Sequence, residues 1–186
     1  MNLQHARIKI FIEGELTVDL EKVAETFHGW ISQQSLPELL IDVVDYRHVP
    51  QGPGVVLVGH EADYGLDNIG NRYGLIYNRK APLDGTNEDK LLQATKAAAK
   101  VCSLLEAEFD SLRFSRREFE LTINDRALAP NTAKTRQTCE PIFASFVTNQ
   151  LGVSEFDTDF DRAPRATFGA NITLRADLDF TALGND

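Results

Sequence analysis

Residues 39–80, LLIDVVDYRHVPQGPGVVLVGHEADYGLDNIGNRYGLIYNRK, alternate apolar and polar positions between clusters of Gly, Pro and Asn. Alternation puts successive side chains on opposite faces of an extended chain, and Gly, Pro and Asn supply the backbone angles of turns. The stretch therefore reads as consecutive antiparallel strands. Residues 39–49 form the first, 50–53 turn, and the valine-rich strand 54–59 runs on through Ala62, Tyr64 and Leu66. Residues 68–71 turn again, and the chain returns through Tyr73, Leu75 and Tyr77. A four-residue turn at each place sets the register. Asp45 then faces Val58 and His60 faces Val43, so Asp45 and His60 become diagonal neighbours on one face. The second turn sets Asp67 against Arg72, Tyr64 against Leu75, Ala62 against Tyr77 and His60 against Arg79.

Towards the N-terminus, residues 7–13 (RIKIFIE) place Ile8, Ile10 and Ile12 on one side, a strand with a buried face. Leu20, Val23, Ala24, Phe27, Trp30 and Ile31 then recur at helical spacing, with Thr17 or Asp19 as cap and Pro37 beyond the end. Towards the C-terminus, Thr86 and Asp89 have capping-box spacing ahead of a helix to about Phe109, whose run AAAKVCSLL reads as a surface for close packing. Residues 119–124 alternate as a strand. A further helix starts near Asn131 and carries Phe143, Phe146 and Val147, with Pro141 predicting a kink or a fresh start at Glu140. Two short strands follow, one through Phe156, Thr158 and Phe160 and one through Phe168, Ala170, Ile172 and Leu174, and residues 178–186 read as a loose tail.

These elements predict an α+β (or α/β) fold, an antiparallel or mixed sheet of about seven or eight strands with three main helices packed on it. Trp30, Phe27, Leu105, Phe143, Phe146, Leu57 and Ile123 are its expected core. The 186 residues, 42% apolar and 25% charged, suit one compact domain over 1–186. Residues 7–60 and 117–174 share the order strand, helix, strand, strand, and a hairpin and helix join them. Both a duplicated βαββ unit and the recurrence of a common order account for that.

A net charge of -9, with nineteen basic residues scattered among twenty-eight acids, argues against a nucleic-acid partner. No apolar run approaches the roughly 18 residues of a membrane helix, and the first residues lack a signal pattern, so the expected location is the cytoplasm. Cys102 and Cys139 sit in apolar helical patterns and read as packed, reduced thiols.

Chemistry has few carriers. His48 and His60 with Glu61 and Asp63 offer metal-ligand atoms, but no HExxH or CxxC spacing accompanies them, and no metal is assigned. The glycines of QGPGVVLVG precede a strand instead of linking a strand to a helix, so they are turn glycines and not a phosphate cradle. No GxSxG elbow is present, and the acidic EFDTDFDRAP departs from calcium-loop spacing. No cofactor is implied. Two function classes follow. The first is a non-catalytic cytosolic binding or assembly protein recognising a small molecule or a protein partner through its sheet, with Asp45, His48, His60, Arg79 and Tyr77 as candidate binding residues. The second is a cofactor-independent enzyme built on Asp45, His60 and Arg79. A homodimer is also expected, because long hairpins leave sheet edges to cover.

Overall fold

The structure, a computed structural model, describes residues 1–160, 163 and 165–184. In chain order the elements are β1 (Ala6–Ile12), α1 (Leu20–Gln33), β2 (Leu40–Tyr46), β3 (Gly54–Gly59), β4 (Ala62–Asp67), β5 (Gly74–Arg79), α2 (Asn87–Glu108), β6 (Phe114–Ile123), α3 (Ala133–Ser145), β7 (Phe156–Asp159), β8 (Gly169–Leu174) and α4 (Phe180–Gly184). The eight strands form one antiparallel sheet in the order β2-β3-β4-β5-β1-β6-β8-β7. The fold is α+β, as the strand and helix patterns predict.

One face of the sheet carries the core. Val43, Leu57, Tyr64, Tyr77, Ile8, Leu121 and Ala170 are cross-strand partners in a single row, and the helices pack over it. Asp19 caps α1 by accepting the Glu21 N–H at 2.9 Å, and Val23, Phe27 and Trp30 turn towards β2 and β3. The capping box of α2 closes as its spacing predicts, Asp89 N–H donating to Thr86 Oγ1 and Thr86 N–H to Asp89 Oδ2. Its small residues Ala94, Ala98, Ala99 and Cys102 are fully buried and let the helix lie close on β1 and β5. All seven expected core residues are buried.

Among the described residues no helix covers the opposite face. One row crosses all eight strands: Val44, Val56, Gly65, Ile76, Lys9, Glu120, Asn171 and Asp159. It is apolar over the first four strands and polar beyond. The connection between β4 and β5 folds over its centre and buries the Lys9 to Asp67 ion pair, 2.6 Å between Nζ and Oδ1, while Lys9 also donates to the Ile69 carbonyl at 2.9 Å. Arg72 from the same connection stacks on Phe11 at 3.7 Å and forks onto Glu118. Burial pushes the Asp67 carboxyl up to about 6, against the pull of Lys9.

Several expectations change. The strand from Gly54 ends at Gly59, and His60 and Glu61 form a two-residue hairpin loop before β4. The ladder between β2 and β3 pairs Asp42 with Val58 and Asp45 with Val55, three residues away from the predicted register. The cause is the loop, because Arg47 N–H donates to the Asp45 carboxylate and Val49 N–H to the Tyr46 carbonyl, so residues 47–53 all lie outside the ladder. A bulge at Ile41 then restores Leu40 opposite Gly59. Gly54 closes this loop at φ 63°, where a Cβ would sit 2.1 Å from the Leu66 carbonyl oxygen. Between β4 and β5 the slip is two residues, Tyr64 facing Tyr77 and Ala62 facing Arg79, because Arg72 is held out of the ladder by Phe11 and Glu118.

The other differences are local. Helix α3 continues through Pro141, and Gln137, whose carbonyl loses its donor, is exposed. Part of the expected tail is α4, with Phe180 buried under the Arg116 guanidinium at 3.9 Å; Asn185 and Asp186 lie outside the described residues, as do Asp161, Arg162 and Pro164 of the acidic run. Both cysteines are free and buried. In the sheet β6, β8 and β7 are contiguous, whereas β4 and β5 separate β1 from β3 and β2. Among the described residues no helix is long and apolar enough to cross a membrane.

Candidate functional site

The helix layer leaves part of the core face open, at the start of β4 and the end of β5, between α2 and the segment that follows α1. A cleft of about 650 Å³ occupies it. Its floor is Tyr64 and Arg79, one wall is the α2 stripe Asp89, Gln93, Lys96 and Lys100 with Leu92 and Ala97, the other is Leu36, Pro37 and Glu38, and Leu183 closes one side.

Local chemistry places each group. α1 ends on Gln34 in the left-handed region, φ 52°, which turns the chain so that Leu36 enters the core and Glu38 lies over the β3–β4 hairpin. Gly59 makes room for that carboxylate, since a Cβ there would lie 2.7 Å from Glu38 Oε2. Glu38 accepts the Ala62 N–H at 3.0 Å and the Tyr64 hydroxyl through a short bond. Tyr64 and Tyr77 are cross-strand partners with ring centroids 5.2 Å apart, edge to face. The Tyr77 hydroxyl lies 3.1 and 3.0 Å from the two amide atoms of Gln93, which ties the floor to α2. Arg79 pairs with Glu61 at 2.8 Å and donates from Nε to the Ala81 carbonyl. Burial, and then the Glu38 carboxylate, push the Tyr64 hydroxyl far above the usual tyrosine range. Burial raises Tyr77 as well, against hydrogen bonds from Gln93 and Arg79 that lower it.

Of the residues predicted from sequence, the structure places Arg79 on the cleft lining, buries Tyr77 beneath it with its hydroxyl on Gln93, and leaves Asp45, His48 and His60 elsewhere. Asp45 stands exposed at the far end of β2, where hydrogen bonds from Arg47 hold its carboxyl below the usual range. His48 is exposed in the loop after β2, and His60 is exposed on the hairpin loop after β3. The triad of Asp45, His60 and Arg79 is therefore not assembled: the three-residue slip of β2 carries Asp45 away from His60, and the two-residue slip of β5 puts Arg79 opposite Ala62.

Sequence reasoning missed Glu38, Tyr64, Gln93, Lys96 and Lys100 as a group. One signal for them was present, the polar residues Asp89, Gln93, Lys96 and Lys100 at helical intervals beside the alanine stripe of α2. Glu38 had none, because its place depends on the turn at Gln34. No family model, curated protein or solved structure matches this chain.

Proposed function

We propose that this is a cytosolic, non-catalytic binding protein that holds a small molecule in the cleft between α2, the start of β4 and the end of β5. One observation carries the reading: about 650 Å³ of space opens where the helices leave the core face uncovered, bounded by five apolar side chains and eight polar or charged ones. That size falls within the ~300 to 1,000 Å³ of small-molecule sites. Binding is favoured over turnover because the polar groups are tied to one another, Glu38 to Tyr64, Glu61 to Arg79 and Tyr77 to Gln93. Such mutually held groups orient a ligand more readily than they exchange protons with one. Native mass spectrometry of the purified protein is expected to show an adduct that Ala97→Trp, which fills the cleft, removes. An unliganded mass for both proteins, with no melting shift across a metabolite library, refutes the proposal.

A second reading, assembly with a protein partner, rests on the edge strand β2. Leu39, Ile41, Tyr46 and Val49, on this strand and its flanks, are 59, 55, 40 and 39% exposed. An exposed apolar edge offers unpaired backbone groups to another strand. Sedimentation velocity at micromolar concentration is expected to give a dimer that Ile41→Asp dissociates, and a monomer throughout removes this reading.

A further inference from the structure

We infer that the cleft takes an uncharged polyhydroxylated molecule, a sugar or a cyclic polyol, two neighbouring hydroxyls of which bridge Glu38 and Arg79; this rests on the cleft being the binding site. The charges of the lining balance. Glu38, Glu61 and Asp89 stand against Arg79, Lys96 and Lys100, with Arg79 paired to Glu61 at 2.8 Å and Lys96 itself engaged. A ligand bearing net charge would gain at one set of side chains and lose at the other. A wholly apolar ligand would strip water from eight polar or charged side chains and return no hydrogen bond. A hydroxyl is donor and acceptor at once, so a molecule rich in them meets carboxylates and cations alike without carrying charge.

The floor defines where the two hydroxyls sit. Glu38 and Arg79 both act on the Tyr64 hydroxyl, in opposite senses, yet among the described residues no ion pair joins them. An acceptor and a donor thus flank one point of the cleft, unbonded to each other. Both are fixed, Glu38 by the Ala62 N–H at 3.0 Å and the Tyr64 hydroxyl, Arg79 by Glu61 and by the Ala81 carbonyl at 3.0 Å. Groups already held in place lose little freedom when a ligand arrives. They also keep capacity, since the two bonds that Glu38 accepts fill about half of a carboxylate's lone-pair sites, and a guanidinium has N–H groups beyond those given to Glu61, Ala81 and Tyr77. Leu92, Ala97 and Leu183 supply the carbon surface on which the C–H face of a ring lies.

Saturation-transfer NMR titrations of the full chain test this with D-glucose, maltose and myo-inositol as neutral probes and D-glucuronate and D-glucosamine as charged ones. A neutral probe is expected to bind about tenfold more tightly than either charged one, and Glu38→Gln, which removes a charge-assisted hydrogen bond, is expected to weaken it about tenfold. Ala97→Trp is expected to abolish it. Tighter binding of a charged probe, lost in Ala97→Trp, overturns the polyol inference and leaves the cleft as the binding site. So does the absence of sugar binding by a protein that still shows a native-mass adduct removed by Ala97→Trp. No ligand in either experiment, or sugar binding that Ala97→Trp does not reduce, overturns the cleft reading together with the inference. Should either variant fail to fold by circular dichroism, Arg79→Gln decides alone: unchanged affinity for the neutral probe refutes the bridge.

Discussion

Replacing Lys9 and Asp67 together with apolar residues is expected to stabilise the protein, although replacing either alone is expected to damage it. The side chains are 4% and 2% exposed and their charges meet at 2.6 Å. Lys9→Met strands a buried carboxylate and Asp67→Leu strands a buried ammonium, each costing about 3 to 5 kcal/mol. Desolvation dominates the intact pair too, since the Asp67 carboxyl stands at about 6 despite its partner. Removing both charges is therefore expected to gain about 1 to 4 kcal/mol over wild type, as buried pairs replaced by apolar volume do. The pH dependence has a fixed sign. A carboxyl raised from 3.8 to about 6 on folding contributes stability that is complete below 3.8 and lost as pH rises through 6. Of the roughly 3 kcal/mol involved, about 1.4 disappears between pH 5 and 8. Urea unfolding of the wild type, both singles and the double at pH 5 and 8 measures this, the advantage of the double widening with pH. Additive single effects, or an advantage that does not depend on pH, refute the reasoning.

Four further outcomes follow from the geometry of the cleft and its support. Tyr64→Phe removes the hydroxyl from the Glu38 carboxylate and is expected to cost about 2 kcal/mol in urea unfolding. Gly59→Ala drives a Cβ to 2.5 Å from the Ala62 carbonyl and 2.7 Å from Glu38, so it is expected to cost about 2 to 3 kcal/mol and to weaken any ligand adduct seen by native mass spectrometry. Gln34→Gly relieves the left-handed residue that ends α1 but gives up the side-chain bond to the Ile31 carbonyl, leaving a net gain of about 0.5 kcal/mol, read as a higher Tm. Arg72→Ala uncovers Phe11 and frees Glu118, and hydrogen exchange is expected to rise at Ile69 and Gly70 while α2 stays protected.

The fold was legible because its carriers are local. Ile8, Ile10 and Ile12, the α1 stripe and the Thr86 to Asp89 box each declare their element within a few residues. Registers were not, since they depend on how a loop spends its residues. The Asp45 to Arg47 turn and the Arg72 stack on Phe11 each remove positions from a ladder that alternation alone would have kept paired. The slips had unequal consequences. Two residues between β4 and β5 left Tyr64, Leu75 and Tyr77 on the predicted face, whereas three between β2 and β3 carried Asp45 out of the expected cluster. Arg79 and Tyr77 lie on that preserved face. Glu38 was not legible, because nothing in its neighbours signals that Gly59 leaves it room.

The two borders of the sheet are unlike, and this bears on how far copies can accumulate. β2 is seven residues long and apolar at Ile41, while β7 is four residues long and carries Asp157 and Asp159 to solvent. Growth into a fibril requires one border to accept the other, head to tail, and here that contact would set Asp42 and Asp45 beside two further acids. Like against like around a two-fold axis uses β2 on both sides and ends there, with the acidic borders facing outward. If copies of the chain pair through β2, the same feature keeps that pairing finite.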